Sequence, residues 1–230
     1  MSLILSLDTS TTVCSVALHR DGAVVACYEL FTDKSSSGML TTLIQNAVQQ
    51  SGYQLSELDA IAVAKGPGSY TGLRIGVSTA KGLCFALDKP LLAINTLEAM
   101  AHQLSGFYPI SHALCPLLDA RRMEVYGAVY DFEGREIQPT SAQIIDEQSF
   151  ADLLTERPVV FFGNGAAKCR AVLGHQANAV FPESVVHPSA KTVGKLAAIA
   201  YVENRFENVA DFEPYYLKDF VGTKPKKLVV

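Results

Sequence analysis

The sequence predicts an α/β chain of two lobes, with the second lobe repeating the plan of the first. Three observations carry this expectation. The first half alternates strand and helix signals in the order β-β-β-α-β-α-β-α. A hydrophobic strand that ends in Asp, then a tight polar turn and a partner strand, occurs at Leu7-Asp8 and again at Leu118-Asp119. Between the two copies, a strand of buried type runs into Gly66 to Gly76, reading G-P-G-S-Y-T-G-L-R-I-G, and a helix leaves it.

Each element has its own signal. Residues 3–8 and 13–19 read as strands, and 23–31 is a third behind the Asp21-Gly22 turn, so the chain opens as an antiparallel meander. Residues 36–51 predict a helix, because Leu40, Leu43, Ile44, Ala47 and Val48 recur every three or four residues and Gly52 supplies the stop. Leu58 to Ala64 is apolar almost throughout, as a buried strand is. A helix at 70–87 follows the Gly-rich turn, with Ser69 as its cap. Pro90 resets the chain, Leu91 to Ile94 is a strand, and Thr96 can cap a helix through Leu104. Ser105 to Pro109 marks the boundary between an N-terminal lobe, 1–105, and a smaller C-terminal lobe with its tail, 106–230.

The second lobe begins as the first does. Asp8 lies 14 positions before Gly22, and Asp119 lies 15 before Gly134. Short β patterns recur widely enough for such a match to arise by chance; the shared Asp position favours duplication. A helix at 147–156, the strand Val159 to Phe162, the turn Gly163-Asn164-Gly165 and a helix at 189–203, set off by Pro188 and Ser189, complete the prediction.

Composition excludes several function classes. A chain of 230 residues with 49% hydrophobic content can bury a full core. With 18% charged residues and a net charge of -4, it has no electrostatic reason to hold nucleic acid unaided, so an RNA role would run through a more basic partner. Five cysteines without a C-x-x-C pair fit reduced core thiols and a cytoplasmic protein. Leu3 to Leu7 has no basic segment before it and no run reaches membrane-spanning length, so neither a signal peptide nor a membrane role is expected.

Chemistry-bearing motifs are sparse. The five histidines include no H-x-x-x-H, so no metal site is expected. Gly68-Ser69-Tyr70 lacks the second glycine of a nucleophile elbow. Gly66, Gly68 and Gly72 miss the dinucleotide fingerprint by one position, on a strand that is fourth instead of first. Two Asp-ended hairpins would point Asp8 and Asp119 into one cleft, as in the duplicated fold of actin, hexokinase and the Hsp70 chaperones, the ribonuclease H-like ASKHA architecture. In that fold Gly-rich turns cradle phosphates, whereas here they read Thr9-Ser10-Thr11-Thr12 and Ala120-Arg121-Arg122-Met123. Asp8, Thr9, Asp119 and Arg121 therefore read as a vestigial nucleotide cleft, in which Arg121 or Arg122 could still pair with an anion. A nucleotide-dependent phosphotransferase using Asp8 and Asp119 is the alternative. Gly72, Gly76 and Ala80 fall four apart on their helix, as suits either a close-packed partner or the helix's own sheet.

Four segments together resemble the bacterial TsaB family, formerly YeaZ. They are Ile4-Leu5-Ser6-Leu7-Asp8-Thr9-Ser10-Thr11, the block GPGSYTGLRIGVSTAKG from Gly66 to Gly82, Leu118-Asp119-Ala120-Arg121 with Glu124-Val125-Tyr126, and Pro214-Tyr215-Tyr216-Leu217-Lys218. The resemblance runs nearly end to end. It implies an accessory subunit, without catalytic residues or metal of its own, that works with TsaD and TsaE. Together they would make threonylcarbamoyladenosine beside the anticodon in tRNAs reading codons that start with A. ATP and metal would then sit on the partner subunits, and tRNA would be met indirectly through the complex. The family pairs through its first two helices, which implies an interface of Met39, Leu40, Leu43, Gly72, Leu73, Arg74, Gly76 and Ala80, with a homodimer available to the same surface. On that reading, Gly76→Arg would abolish the complex without unfolding the chain. Relatives often place a His near the start of the first helix, where this chain has Ser35-Ser36-Ser37-Gly38. Lys224 to Lys227 reads as a tRNA contact or a solvated tail, and Pro214 to Lys218 as an anchor with Tyr215 and Tyr216 partly buried.

Overall fold

A computed structural model describes residues 1–31 and 38–218. Its strands form two five-stranded sheets of identical plan. In the first, β1 (Leu3–Asp8), β2 (Val13–Arg20) and β3 (Ala23–Phe31) make the antiparallel meander, and β4 (Ala60–Gly66) and β5 (Leu91–Asn95) add in parallel on the other side of β1. In the second, β6 (Ala113–Asp119), β7 (Glu124–Tyr130) and β8 (Glu136–Ile144) repeat the meander, while β9 (Val159–Phe162) and β10 (Ala179–Val180) repeat the parallel pair. The duplication read from one hairpin thus extends through both sheets.

The helices obey the same repeat. α1 (Leu40–Gln49) and α2 (Tyr70–Leu87) flank β4, as α4 (Ala151–Glu156) and α5 (Ala166–Leu173) flank β9; α3 (Thr96–Leu104) and α6 (Ala190–Val202) close the two halves. Parallel neighbours need such crossovers, since a hairpin cannot join them. Alternation along β1 sorts its side chains: Leu3, Leu5 and Leu7 pack in one core with Leu40, Leu43 and Val77, while Ile4 packs in another with Val193, Leu196 and Ala197 of α6. Leu97, Met100 and Ala101 of α3 pack with Leu114, Leu118 and Phe162 of the second sheet. Each half's last helix therefore lies on the other half's sheet. The sequence boundary at 105–109 falls between the sheets, but the layers cross it.

Local chemistry moves several expected boundaries. The described helix α1 begins at Leu40, and the expected start at 36–37 lies outside the described residues. A single 3-10 turn, Leu55–Glu57, delays β4 to Ala60. Asn95 caps α3 in place of Thr96, its side-chain oxygen accepting from the Leu97 and Glu98 amides at 2.8 and 3.3 Å. α4 starts at Ala151 rather than 147, because Asp146 and Ser149 close a turn ahead of it and Phe150 sits at φ 61. Ser69 and Ser189 cap α2 and α6 as expected.

Candidate functional site

The first hairpin turn is closed by its own chain. Asp8 ends β1 and is 1% exposed; its Oδ1 accepts the Ser10 amide at 2.9 Å and the Ser10 hydroxyl at 2.7 Å. Its Oδ2 has no hydrogen-bond partner among the described residues. Burial pushes the Asp8 carboxyl up to about 6, with the Ser10 bonds pulling it down and Glu29 adding to the rise. Thr9, equally buried, donates its hydroxyl to the Gly72 carbonyl at 2.7 Å, and the Ser69 amide donates to the Ser10 carbonyl at 2.7 Å.

Gly68, Gly72 and Gly76 leave the room this contact needs. A Cβ on Gly72 would overlap the Thr9 carbonyl, and one on Gly76 would overlap the Thr9 hydroxyl. The start of α2 thus packs directly against the turn at Thr9 and Ser10. The Ser10 and Val13 amides are satisfied by Asp8 and Thr11 side chains.

The second turn is open and charged. Asp119 has a half-exposed side chain whose Oδ1 accepts the Arg121 amide and the Lys168 ammonium, each at 2.6 Å. Lys168 also donates to the Glu124 carbonyl at 3.1 Å, and Asn164 accepts the Asp119 amide at 2.9 Å. Arg121 and Arg122 hold φ of 71 and 49, in the left-handed region that side chains seldom adopt. Asp8 and Asp119 therefore occupy equivalent places in the repeat with opposite surroundings, one dry and partnered by Ser10, the other wet and paired with a lysine. Nothing in the sequence marks Lys168, because α5 has no strong apolar period and its cation meets Asp119 only in three dimensions, and Asn164 is marked only as part of a turn. Among the described residues, no group of three or more His, Cys, Asp or Glu side chains could hold a metal ion.

A strap after α6 ties the end of β4 and the start of α2 to the second turn. The Glu207 amide donates to the Leu91 carbonyl at 2.9 Å, and Lys81 of α2 reaches the Ala210 and Phe212 carbonyls at 3.1 and 2.9 Å. The Tyr215 amide then donates to the Lys65 carbonyl at 2.7 Å, Tyr216 stacks on Tyr70, and Lys218 pairs with Glu124 of β7. Tyr216 is half-buried as expected, whereas the Tyr215 side chain is exposed and only its backbone anchors the strap.

The expected interface residues divide into two sets. Leu40, Leu43, Gly72, Leu73, Gly76 and Ala80 are buried, the leucines and Ala80 at 9% exposure or less, so their contacts here are with their own lobe. Met39 and Arg74 are exposed. On α2 the outward stripe is Arg74, Ser78, Gly82 and Phe85; a Cβ on Gly82 would meet nothing, and Phe85 is 87% exposed. Ser35 to Ser37 and Lys224 to Lys227 lie outside the described residues. No helix of the described residues is long and apolar enough to cross a membrane.

Comparison with known proteins gives consistent results. A family model described as TsaD, tRNA N6-adenosine threonylcarbamoyltransferase, matches residues 31–229. The tRNA threonylcarbamoyladenosine biosynthesis protein TsaB of Escherichia coli is 32% identical over 228 residues, covering 96% of each chain. The crystal structure of YeaZ from Pseudomonas aeruginosa superposes with a TM-score of 0.80 at 28% identity, covering 94% of this chain and 100% of the other. The ADPNP-bound activator of the 2-hydroxyisocaproyl-CoA dehydratase from Clostridium difficile, at 11% identity and a TM-score of 0.51 over 88% of this chain and 96% of its own, shares the fold.

Proposed function

This chain belongs to the TsaB family of tRNA threonylcarbamoyladenosine biosynthesis proteins, and from that premise we propose that it is the docking subunit that works with TsaD and TsaE. In this reading it carries no catalytic group. The chemistry, with its ATP and metal, belongs to the partners, and the product is threonylcarbamoyladenosine beside the anticodon in tRNAs reading codons that start with A. The complex works in the cytoplasm.

One observation carries the reading. The turn that would cradle phosphate is packed at Thr9 against Gly72 and Gly76 of α2, and its Asp8 is buried and favours the neutral acid below about pH 6. A phosphotransferase built on Asp8 and Asp119 needs that turn open and its carboxylates free for a metal, whereas Asp119 is engaged by Lys168. The cost of closing the turn has a counterpart in rigidity. α2 is fixed to the sheet along its inner side, so its outer stripe of Arg74, Ser78, Gly82 and Phe85 is a preorganised surface for TsaD or for a second copy of the chain.

The test is depletion of the protein followed by mass analysis of digested tRNA nucleosides. Loss of threonylcarbamoyladenosine is the expected result, and an unchanged level overturns the assignment. Calorimetry of the isolated chain with magnesium and ATP separates the two readings, since heat of binding and turnover belong to the phosphotransferase alone.

A further inference from the structure

The start of α2 is linked to the second turn by a band of aromatic and cationic groups. Tyr70 opens α2, and its ring stacks on Tyr216 with centroids 4.5 Å apart and planes at 25°. Two residues on, Lys218 pairs with Glu124. Glu124 closes the second turn, its amide donating to the Arg121 carbonyl at 3.2 Å and its carbonyl accepting from Ala120 at 3.1 Å. The band therefore runs without a break from the tyrosine pair to Arg121 and Arg122.

Its charge is unbalanced. Asp119 offsets Lys168 and Glu124 offsets Lys218, but Arg121 and Arg122 are exposed and join none of the ion pairs among the described residues. Two arginines thus stand free at the end of an aromatic platform, in a chain whose net charge is -4.

We propose that this band is a direct contact for a single-stranded RNA loop, with bases stacking on the tyrosine pair and phosphates meeting Arg121 and Arg122. The inference rests on the tRNA-biosynthesis reading above and goes beyond it, because composition pointed only to an indirect contact. Aromatic faces beside cations are what unpaired bases require: stacking accepts any base, and the cations follow the backbone. An acidic protein face would use the arginines but would gain nothing from an aromatic stack beside them. The left-handed backbone at both arginines holds the two side chains at the tip of the turn, where a flexible loop would let them fold back.

The experiment titrates a fluorescent anticodon stem-loop RNA with the full chain, alone and together with a TsaD homologue, across a salt series. Arg121→Glu combined with Arg122→Glu is expected to weaken binding at least tenfold and to make the salt dependence shallower by roughly two in log-log slope. Tyr216→Leu is expected to weaken it by about five- to a hundredfold with the slope unchanged. Lys195→Glu, on the exposed side of α6, is the control and should change neither.

Wild-type affinity and slope in the double arginine variant overturn the proposal, as does the absence of RNA binding by the wild-type chain in both settings. Loss of the TsaD homologue by that variant, with RNA affinity kept, also overturns it, because the band would then be a protein contact. The two readings fail separately. Retained threonylcarbamoyladenosine after depletion defeats the functional assignment, whereas full rescue of a depleted strain by a double variant with unaltered RNA binding defeats only the band.

Discussion

The hydroxyl of Thr9 donates to the carbonyl of Gly72 at 2.7 Å, joining residues 63 positions apart and sealing the first hairpin turn against α2. Everything around this bond is fitted to it, because both Gly72 and Gly76 lack the Cβ that would strike Thr9. The same relationship corrects the expectation that Gly76 is a surface position. Gly76→Arg, which sequence alone offers as a probe of the partner face, points its side chain into Thr9. We expect it to destabilise the fold by about 3 kcal/mol or more, and Gly72→Ala by about 1–3 kcal/mol, by overpacking. Urea unfolding monitored by circular dichroism checks both, and a wild-type midpoint for Gly76→Arg would show that the turn is loose.

Asp8 gives the protein a pH dependence of definite sign. Its carboxyl titrates near 6 in the folded chain against a reference value of 3.8, so the folded state binds the proton more tightly than the unfolded one. Stability from this group is complete below about pH 4 and is lost as pH rises through about 6, by an amount on the order of 2–3 kcal/mol. Asp8→Asn keeps the shape without the charge. It should flatten that part of the stability profile and leave the variant more stable than wild type at pH 7, as read from urea midpoints at successive pH values.

The proposed partner face should respond to its outer residues instead. Phe85→Asp and Met39→Glu change side chains that are 87% and 41% exposed, so each should alter stability by no more than about 0.5 kcal/mol. Binding to a TsaD homologue, measured by calorimetry, should fall at least tenfold for Phe85→Asp if the α2 stripe is the contact centre. Equal affinity in both variants would move the interface elsewhere.

Lys81 secures the strap. Lys81→Met keeps the length of the side chain and removes both donations to the Ala210 and Phe212 carbonyls, which should cost about 1–3 kcal/mol locally. Hydrogen exchange at the Tyr215 amide, bonded to the Lys65 carbonyl, is the readout and should accelerate while β1 amides stay protected.

Much of the fold is written in local pattern, and much of the site is not. Short apolar runs, the Asp21-Gly22 turn, the Ser69 cap and the Asp-ended hairpins place β1 to β4, α2 and the repeat, because each depends on neighbours within a few residues. α5 is short, and half of its residues carry little apolar signal, so only its position opposite α2 in the repeat marks it. The inward direction of Gly72 and Gly76 was undecidable from spacing, since a bare stripe suits a sheet as well as a partner. The fate of Asp119 depends on Lys168, 49 residues away, and that of Glu124 on Lys218, 94 away. Such pairings are set by tertiary geometry, which no window of sequence contains.

The exchange of α3 and α6 between the sheets also governs how the molecule is made. Until the ribosome has released residue 202, the first sheet shows Ile4, Ala62 and Ile94 to water on the side that α6 will cover. A nascent chain in that state displays a sticky apolar platform on a complete β-meander, the kind of surface that chaperones hold and that aggregates when they do not. Synthesis to the last helix, rather than to the end of the first half, is what makes the N-terminal sheet safe.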